Sequence, residues 1–172
     1  MNLWSWFLIY KEWLDQRVKW DPSKYGGVDK IRIPTERIWV PDVVLYNNAD
    51  QFEDGIPKTK VTANSNGRVY LTQPLQQRST CSIDVRYFPF DDQTCILKYG
   101  LWAYSEFQVD LVRAQNGTPD LSRYIESGEW HLMAFEVTRH VEYYPQTPND
   151  PFPDLRFKLK IRRRVLPFFY NM

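Results

Sequence analysis

Hydrophobic and polar residues alternate with a period of two along most of the chain. Phe157, Leu159 and Ile161 alternate with Arg156, Lys158, Lys160 and Arg162, the pattern of a half-buried antiparallel strand. Cys81, Ile83, Val85 and Tyr87 alternate with Ser82, Asp84 and Arg86 in the same way, which predicts another strand. Phe135, Val137, Val141 and Tyr143 carry the pattern across residues 133–143. Asn66-Gly67 lies between Val61-Thr62-Ala63 and Val69-Tyr70-Leu71. Both turn residues tolerate positive φ, so the dipeptide predicts a type I′ hairpin. Twelve prolines and seven glycines punctuate these segments. No helix-period stretch exceeds a turn or two, and there is no internal repeat or low-complexity tract. The pattern predicts an all-β sandwich of short antiparallel strands.

A chain of 172 residues is one domain or two small ones, long enough to bury a real core. Its formal net charge of +1 gives no electrostatic case for nucleic acid as a partner. Aromatic content is 16%, with seven tryptophans and eleven tyrosines, which leaves rings available beyond those a β core consumes. The two cysteines, Cys81 and Cys95, fit one disulfide in an oxidising compartment, and by count they equally fit a pair of free buried thiols. No apolar run reaches bilayer length. Trp4-Ser5-Trp6-Phe7-Leu8-Ile9 is apolar but lacks the basic start and cleavage site of a signal peptide.

Convergent titratable groups are scarce, which argues against an enzyme. His131 and His140 have no metal-ligand spacing to each other or to the cysteines. There is no phosphate loop and no nucleophile elbow. Asp91 and Asp92 are neighbours on an extended backbone and point to opposite faces, so they do not act as paired carboxylates. No cofactor is implied. Rings instead cluster beside loops: Trp39 and Tyr46, Trp102 and Tyr104, Tyr143 and Tyr144, then Phe152. Such rings can box an organic cation, each good contact contributing about 0.5 to 2 kcal/mol, or they can be ordinary core packing.

The segment between the cysteines, with Phe88-Pro89-Phe90-Asp91 inside it, resembles the signature loop of the pentameric Cys-loop receptors. Trp20-Asp21-Pro22, Tyr25-Gly26-Gly27-Val28, Trp39-Val40-Pro41-Asp42, Leu45-Tyr46-Asn47-Asn48-Ala49-Asp50 and Glu126-Ser127-Gly128-Glu129-Trp130 agree in order and spacing. The likeness runs from about residue 13 to the end and is to the nicotinic acetylcholine receptor branch. It implies an immunoglobulin-like β-sandwich, with residues 1–172 as an extracellular ligand-binding domain ending at the junction to a first transmembrane helix. It also implies a disulfide between Cys81 and Cys95, a cis bond at Phe88-Pro89, and a pentamer with four other subunits on a membrane domain outside this chain. The family's N-terminal helix and first strand are expected ahead of residue 1, which would leave one sheet with an unpaired edge.

The resemblance also implies the roles of single residues. A small cationic, neurotransmitter-like ligand would sit between subunits. Tyr46, the central Trp102, Tyr144 and Phe152 form the principal face, while Tyr70 and Leu8 fall on the complementary one, Trp4 replacing Leu8 if a four-residue insertion is allowed. The adjacent cysteine pair of acetylcholine-binding α-type subunits is replaced by Tyr143-Tyr144-Pro145-Gln146-Thr147-Pro148, which points the pharmacology away from acetylcholine. Phe88, Pro89, Phe90 and Asp91 would press on the membrane domain. One arginine of Arg162-Arg163-Arg164, with Arg164 as the candidate, would couple to the loop acids. Asn116 in Asn116-Gly117-Thr118 is a candidate glycosylation site of an exported protein at the cell membrane. The alternative is a soluble protein like the acetylcholine-binding protein, whose loop tip is more polar; an adhesion-type sandwich stands far behind.

Overall fold

A computed structural model describes residues 2–49, 59–114, 120–122 and 124–165. Among them the regular elements are eight strands and two short 3-10 turns, at Pro22–Tyr25 and Thr35–Arg37. The strands are β1 (Asn2–Lys19), β2 (Lys30–Pro34), β3 (Val43–Leu45), β4 (Lys60–Asn64), β5 (Asn66–Thr80), β6 (Asp92–Leu101), β7 (Trp130–Tyr144) and β8 (Thr147–Arg163). They form two four-stranded sheets, in the orders β1-β5-β4-β2 and β3-β6-β8-β7. The chain is all-β, in the immunoglobulin-like class expected. Its strands are not uniformly short: β1, β5, β7 and β8 each exceed fourteen residues.

The chain divides into two compact units. One comprises Trp4–Pro41 and Asp50–Arg78. Period-two alternation on β4 and β5 places Val61, Ala63, Val69 and Leu71 on one face, where all four are fully buried with Val40. Trp13, Val18, Ile33 and Ile38 pack against them. The predicted β4–β5 hairpin is present, with Thr62 opposite Tyr70 and Ala63 opposite Val69. Its turn is not type I′, because Gly67 has φ +87° and no non-glycine among the described residues, Asn66 included, has positive φ. Asn66 instead turns the chain with its side chain, its Oδ1 accepting the Arg68 N–H at 2.9 Å. At Gly67 a Cβ would lie 2.9 Å from the Lys19 side chain and 3.0 Å from the Asp15 carbonyl, so only glycine fits there.

The other unit comprises Met1–Leu3, Asp42–Ala49 and Ser79–Met172. Within it β6 pairs β8 from Asp92↔Arg162 to Gly100↔Asp154, and β7 pairs β8 along nearly its whole length. Alternation on β6 buries Gln93, Cys95, Leu97 and Tyr99 while Asp92, Thr94 and Ile96 face out. Cys95 is bonded to Cys81, and the pair packs with Trp130 and Ile161, flanked by Leu132 and Leu159. Closing a loop of about fifteen residues is worth about 3 kcal/mol in the chain-entropy account.

The strand predicted over residues 81–87 does not form. Its alternation has no neighbouring strand to act on, and Val85 and Tyr87 lie exposed. The reason is a side chain. Gln93 Nε2 donates to the Asp84 carbonyl at 2.7 Å and Gln93 Oε1 accepts the Asp84 N–H at 3.0 Å, so an amide side chain takes the place of a ladder partner. Beyond it Phe88 and Phe90 close tight turns onto the Val85 and Tyr87 carbonyls, and the Phe88-Pro89 peptide is cis.

The loop is tied to the end of β8 by one buried ion pair. Arg163 donates from Nε to Asp91 Oδ1 at 2.7 Å and from Nη2 to Oδ2 at 3.0 Å, while Gln93 Nε2 donates to the same Oδ2 at 2.6 Å. The Arg163 guanidinium also lies 4.2 Å from the Trp130 ring centroid and 4.9 Å from that of Phe88. Its bonds hold the Asp91 carboxyl down to about 2, against the opposing effect of burial. A depressed carboxylate stabilises the fold above its unfolded value near 4, and that contribution of about 2 kcal/mol disappears as pH falls through about 2. We expect the stability gap between the parent protein and Asp91→Asn, measured by urea unfolding, to narrow as pH drops from 5 toward 2. A gap that stays constant would mean that Asp91 is not held by charge. Arg163→Gln strands a buried carboxylate and should cost about 3 to 5 kcal/mol near neutral pH by the same measurement.

Candidate functional site

The second sheet positions most of the predicted rings. β3 pairs with β6, Leu45 opposite Tyr99, and the Tyr46 N–H continues the ladder onto the Lys98 carbonyl at 2.8 Å. This brings the Tyr46 ring across β6, where its hydroxyl donates to the Leu101 carbonyl at 2.6 Å. Gly100 makes the approach possible, since a Cβ there would lie 2.3 Å from Tyr46 Oη. Burial, with the fields of Tyr144, Asp154 and Asp42 behind it, pushes the Tyr46 phenol up to about 12. Tyr46 is therefore a neutral, half-buried ring with a fixed hydroxyl.

Trp102 follows directly on Leu101, past the last residue of β6. Its N–H reaches the Asp42 carbonyl at 3.4 Å, and the next N–H, of Ala103, donates to Asp42 Oδ2 at 2.8 Å. The indole is 67% exposed, which rules out core packing as the reason for this ring. Tyr144 and Phe152 meet across the β7–β8 hairpin, ring centroids 5.5 Å apart and planes at 64°, the edge-to-face arrangement favoured by ring quadrupoles. Between them Pro145-Gln146 makes the turn, and a register shift separates Tyr143↔Pro151 from Tyr144↔Thr147. Pro148, Pro151 and Pro153 are tolerated because β6 pairs β8 only from Asp154 onward, so their missing N–H groups break no ladder on that side.

Beneath the rings lies a balanced group of four charges. Lys98 faces Arg156 directly across β6 and β8, and the buried Asp154 bridges the two, 3.4 Å from Lys98 Nζ and 2.9 Å from Arg156 Nε. Glu142 of β7 joins both cations, at 3.6 Å from Lys98 and in a short bond to Arg156. Lys98 Nζ also sits 5.5 Å from the Tyr46 ring centroid. Like charges face each other across the strands only because two carboxylates intervene. None of Lys98, Glu142, Asp154 and Arg156 is a site candidate in the sequence, where Arg156 figures only as a polar position of a strand. The period-two spacing of Asp154 and Arg156 on β8 is a signal, but the convergence of all four depends on register.

The remaining candidates fall elsewhere. Tyr70 on β5 and the exposed Leu8 on β1 belong to the first unit. Tyr70 stacks on Tyr10, centroids 6.0 Å apart at 29°, and Tyr10 donates to Glu12 at 3.0 Å. Tyr10 was missed, although it lies two residues after Leu8 and so on the same face of β1. Phe88 and Phe90 are more than half exposed at the loop tip, and Asp91 is buried behind them. The pairing expected of Arg164 is corrected. Arg164 bonds Glu126, and its N–H reaches the Glu129 carbonyl, while Arg163 holds Asp91 and Arg162 holds Asp92. Successive residues of β8 point to opposite faces, and Arg163 is the one directed at the buried acid. Asn116 lies outside the described residues.

The family described as "Neurotransmitter-gated ion-channel ligand binding domain" matches residues 1–165. Among curated relatives, acetylcholine receptor subunit alpha-like 2 of Drosophila melanogaster is 41% identical over 99% of this chain and 30% of its own length. Acetylcholine receptor subunit beta-like 2 of the same fly is 39% identical over 99% of this chain and 34% of its own length. Acetylcholine receptor subunit alpha-1-A of Xenopus laevis is 40% identical over 95% of this chain and 36% of its own length. The chain thus spans about a third of the length of the curated relatives it matches. With the Cys81–Cys95 bond closing the loop around Phe88-Pro89-Phe90-Asp91, these matches place the chain in the neurotransmitter-gated ion-channel ligand-binding domain family, acetylcholine receptor-like.

Proposed function

We propose that this chain is the extracellular ligand-binding domain of a nicotinic-type pentameric cation channel and binds a small organic cation between subunits. The observation that carries this is the exposed Trp102 indole, which leaves the strand on the residue after the carbonyl that fixes Tyr46. Tryptophan has the strongest π face, so Trp102 takes the charge. Tyr46 and the Tyr144–Phe152 pair complete the cage, and Phe152 contributes a ring without a hydroxyl to donate. The facing subunit of the pentamer supplies Tyr70 and Leu8, in the one-face-to-another contact a ring assembly needs. With Pro145-Gln146 in place of adjacent cysteines, the hairpin takes its shape from prolines, and the preferred amine is other than acetylcholine.

The same reading makes the loop tip a transmitting surface. Tyr87, Phe88 and Phe90 expose apolar rings that a soluble binding protein would have no use for, which favours a channel over the soluble alternative. Phe88, Pro89 and Phe90 press on the membrane domain, whereas Asp91, expected to do the same, is buried behind them and acts through Arg163, which rather than Arg164 joins the loop to the strand leading there. Asn116 carries the glycan.

In titrations with a panel of quaternary amines, Trp102→Ala should weaken binding about tenfold or more and Trp102→Phe by about three- to fivefold. Unchanged binding in both variants would place the site elsewhere. Gly100→Ala drives a methyl group into the Tyr46 ring, and we expect it to cost about 1 to 3 kcal/mol in unfolding experiments and to weaken the same amines. Light scattering of the complete ectodomain should give a pentamer; a stable monomer or two-fold dimer would contradict the assembly.

A further inference from the structure

Residues 105–114 follow the Trp102 segment and lie outside every strand, so their polar groups need partners of another kind. Ser105 starts a tight turn, its carbonyl accepting the N–H groups of Gln108 and Val109, each at 3.0 Å. One side chain then gathers the segment. Arg139 of β7 donates from Nη2 to Glu106 Oε1 and to Asp110 Oδ1, both at 2.6 Å, and from Nε to the Leu111 carbonyl at 3.0 Å. The Glu106 N–H meanwhile donates to the Pro151 carbonyl at 2.8 Å, one residue before Phe152. Arg113 Nη1 adds a longer bond to the Val137 carbonyl at 3.5 Å.

We propose that Arg139 is a positioning residue that locks the segment carrying Trp102 onto the β7–β8 hairpin carrying Tyr144 and Phe152. The consequence for binding rests on the cation-site reading given above; the mechanical lock does not. A solitary surface ion pair contributes little, but here one guanidinium serves three acceptors within six residues, and Arg139 and Glu106 are each only 31% exposed. Two carboxylates share a single nitrogen. Removing the positive charge therefore leaves Glu106 and Asp110 repelling each other, which opens the turn rather than merely loosening it. Movement there reaches Trp102 through four residues of chain and reaches Phe152 through the Glu106–Pro151 bond.

The test is fluorine NMR of the full chain labelled with fluorotryptophan, the Trp102 resonance being identified by its disappearance in Trp102→Phe. Arg139→Gln should shift or split that resonance and leave those of the other tryptophans in place. Arg139→Lys, which keeps the charge but not the planar three-way fork, should give a smaller shift. In amine titrations Arg139→Gln should raise Kd about five- to tenfold, with the thermal midpoint little changed. An unmoved Trp102 resonance in Arg139→Gln overturns the proposal. If that variant does not fold, an unmoved resonance in Arg139→Lys does so. A shift shared by all the tryptophans also overturns it, because it marks general loss of structure. If the unaltered protein binds no amine, the cation-site reading falls, and the resonance alone decides whether Arg139 holds the segment.

Discussion

The register between β6 and β8 is the constraint on which both ends of the second sheet, the ring cluster and the disulfide loop, depend. Nine residues of each strand pair without a slip, from Asp92↔Arg162 to Gly100↔Asp154. At one end this places Gly100 where the Tyr46 ring can cross the strand, with Asp154 beneath it. At the other it puts Arg163 beside Asp91 and closes the disulfide loop against Trp130 and Ile161. A slip of one residue would turn Asp154 away from Lys98 and Arg163 away from Asp91 together. The two ends are not independent sites that share a sheet. They are two readouts of one alignment.

Charge does much to hold that alignment unique. Asp91 and Asp154 are buried at opposite ends of the paired region, and neither could be left unpaired without a cost of several kcal/mol. Arg163 answers the first with a two-pronged bond, and Lys98 and Arg156 answer the second with Glu142 sharing the load. Replacing either group with well-packed apolar residues could match the stability. It would not select among registers as strongly, because apolar contacts are non-directional.

Much of this was legible in the sequence, and the failures have physical causes. The alternation over 156–162 marks β8, where Phe157 and Leu159 are half-buried and Ile161 buried, and that over 133–143 marks β7, where Phe135, Val137 and Val141 are half-buried. Asn66-Gly67 marks a hairpin because the glycine takes a positive φ, though not in the turn type expected. The same alternation misleads at residues 81–87, where the Gln93 side chain replaces the strand that the pattern presupposes. Tyr46, Trp102, Tyr144 and Phe152 are found through motif resemblance, since exposure and ring geometry are not written in local pattern. The charge group of Lys98, Glu142, Asp154 and Arg156 spans three strands, so it exists only once their register is known. Arg163 is the last residue of β8 and turns to the face of the buried acid, while Arg164 lies past the strand and bonds Glu126, and three arginines in a row give no hint of that.

The central claim is that ring faces around Trp102 bind a positive charge rather than a greasy shape. Calorimetric titration of choline against its neutral tert-butyl isostere, which has nearly the same size and surface, separates the two. Each desolvated cation–π contact is worth up to about 2 kcal/mol, so choline should bind at least about tenfold more tightly. Equal affinity for the two, or tighter binding of the neutral compound, would contradict the account.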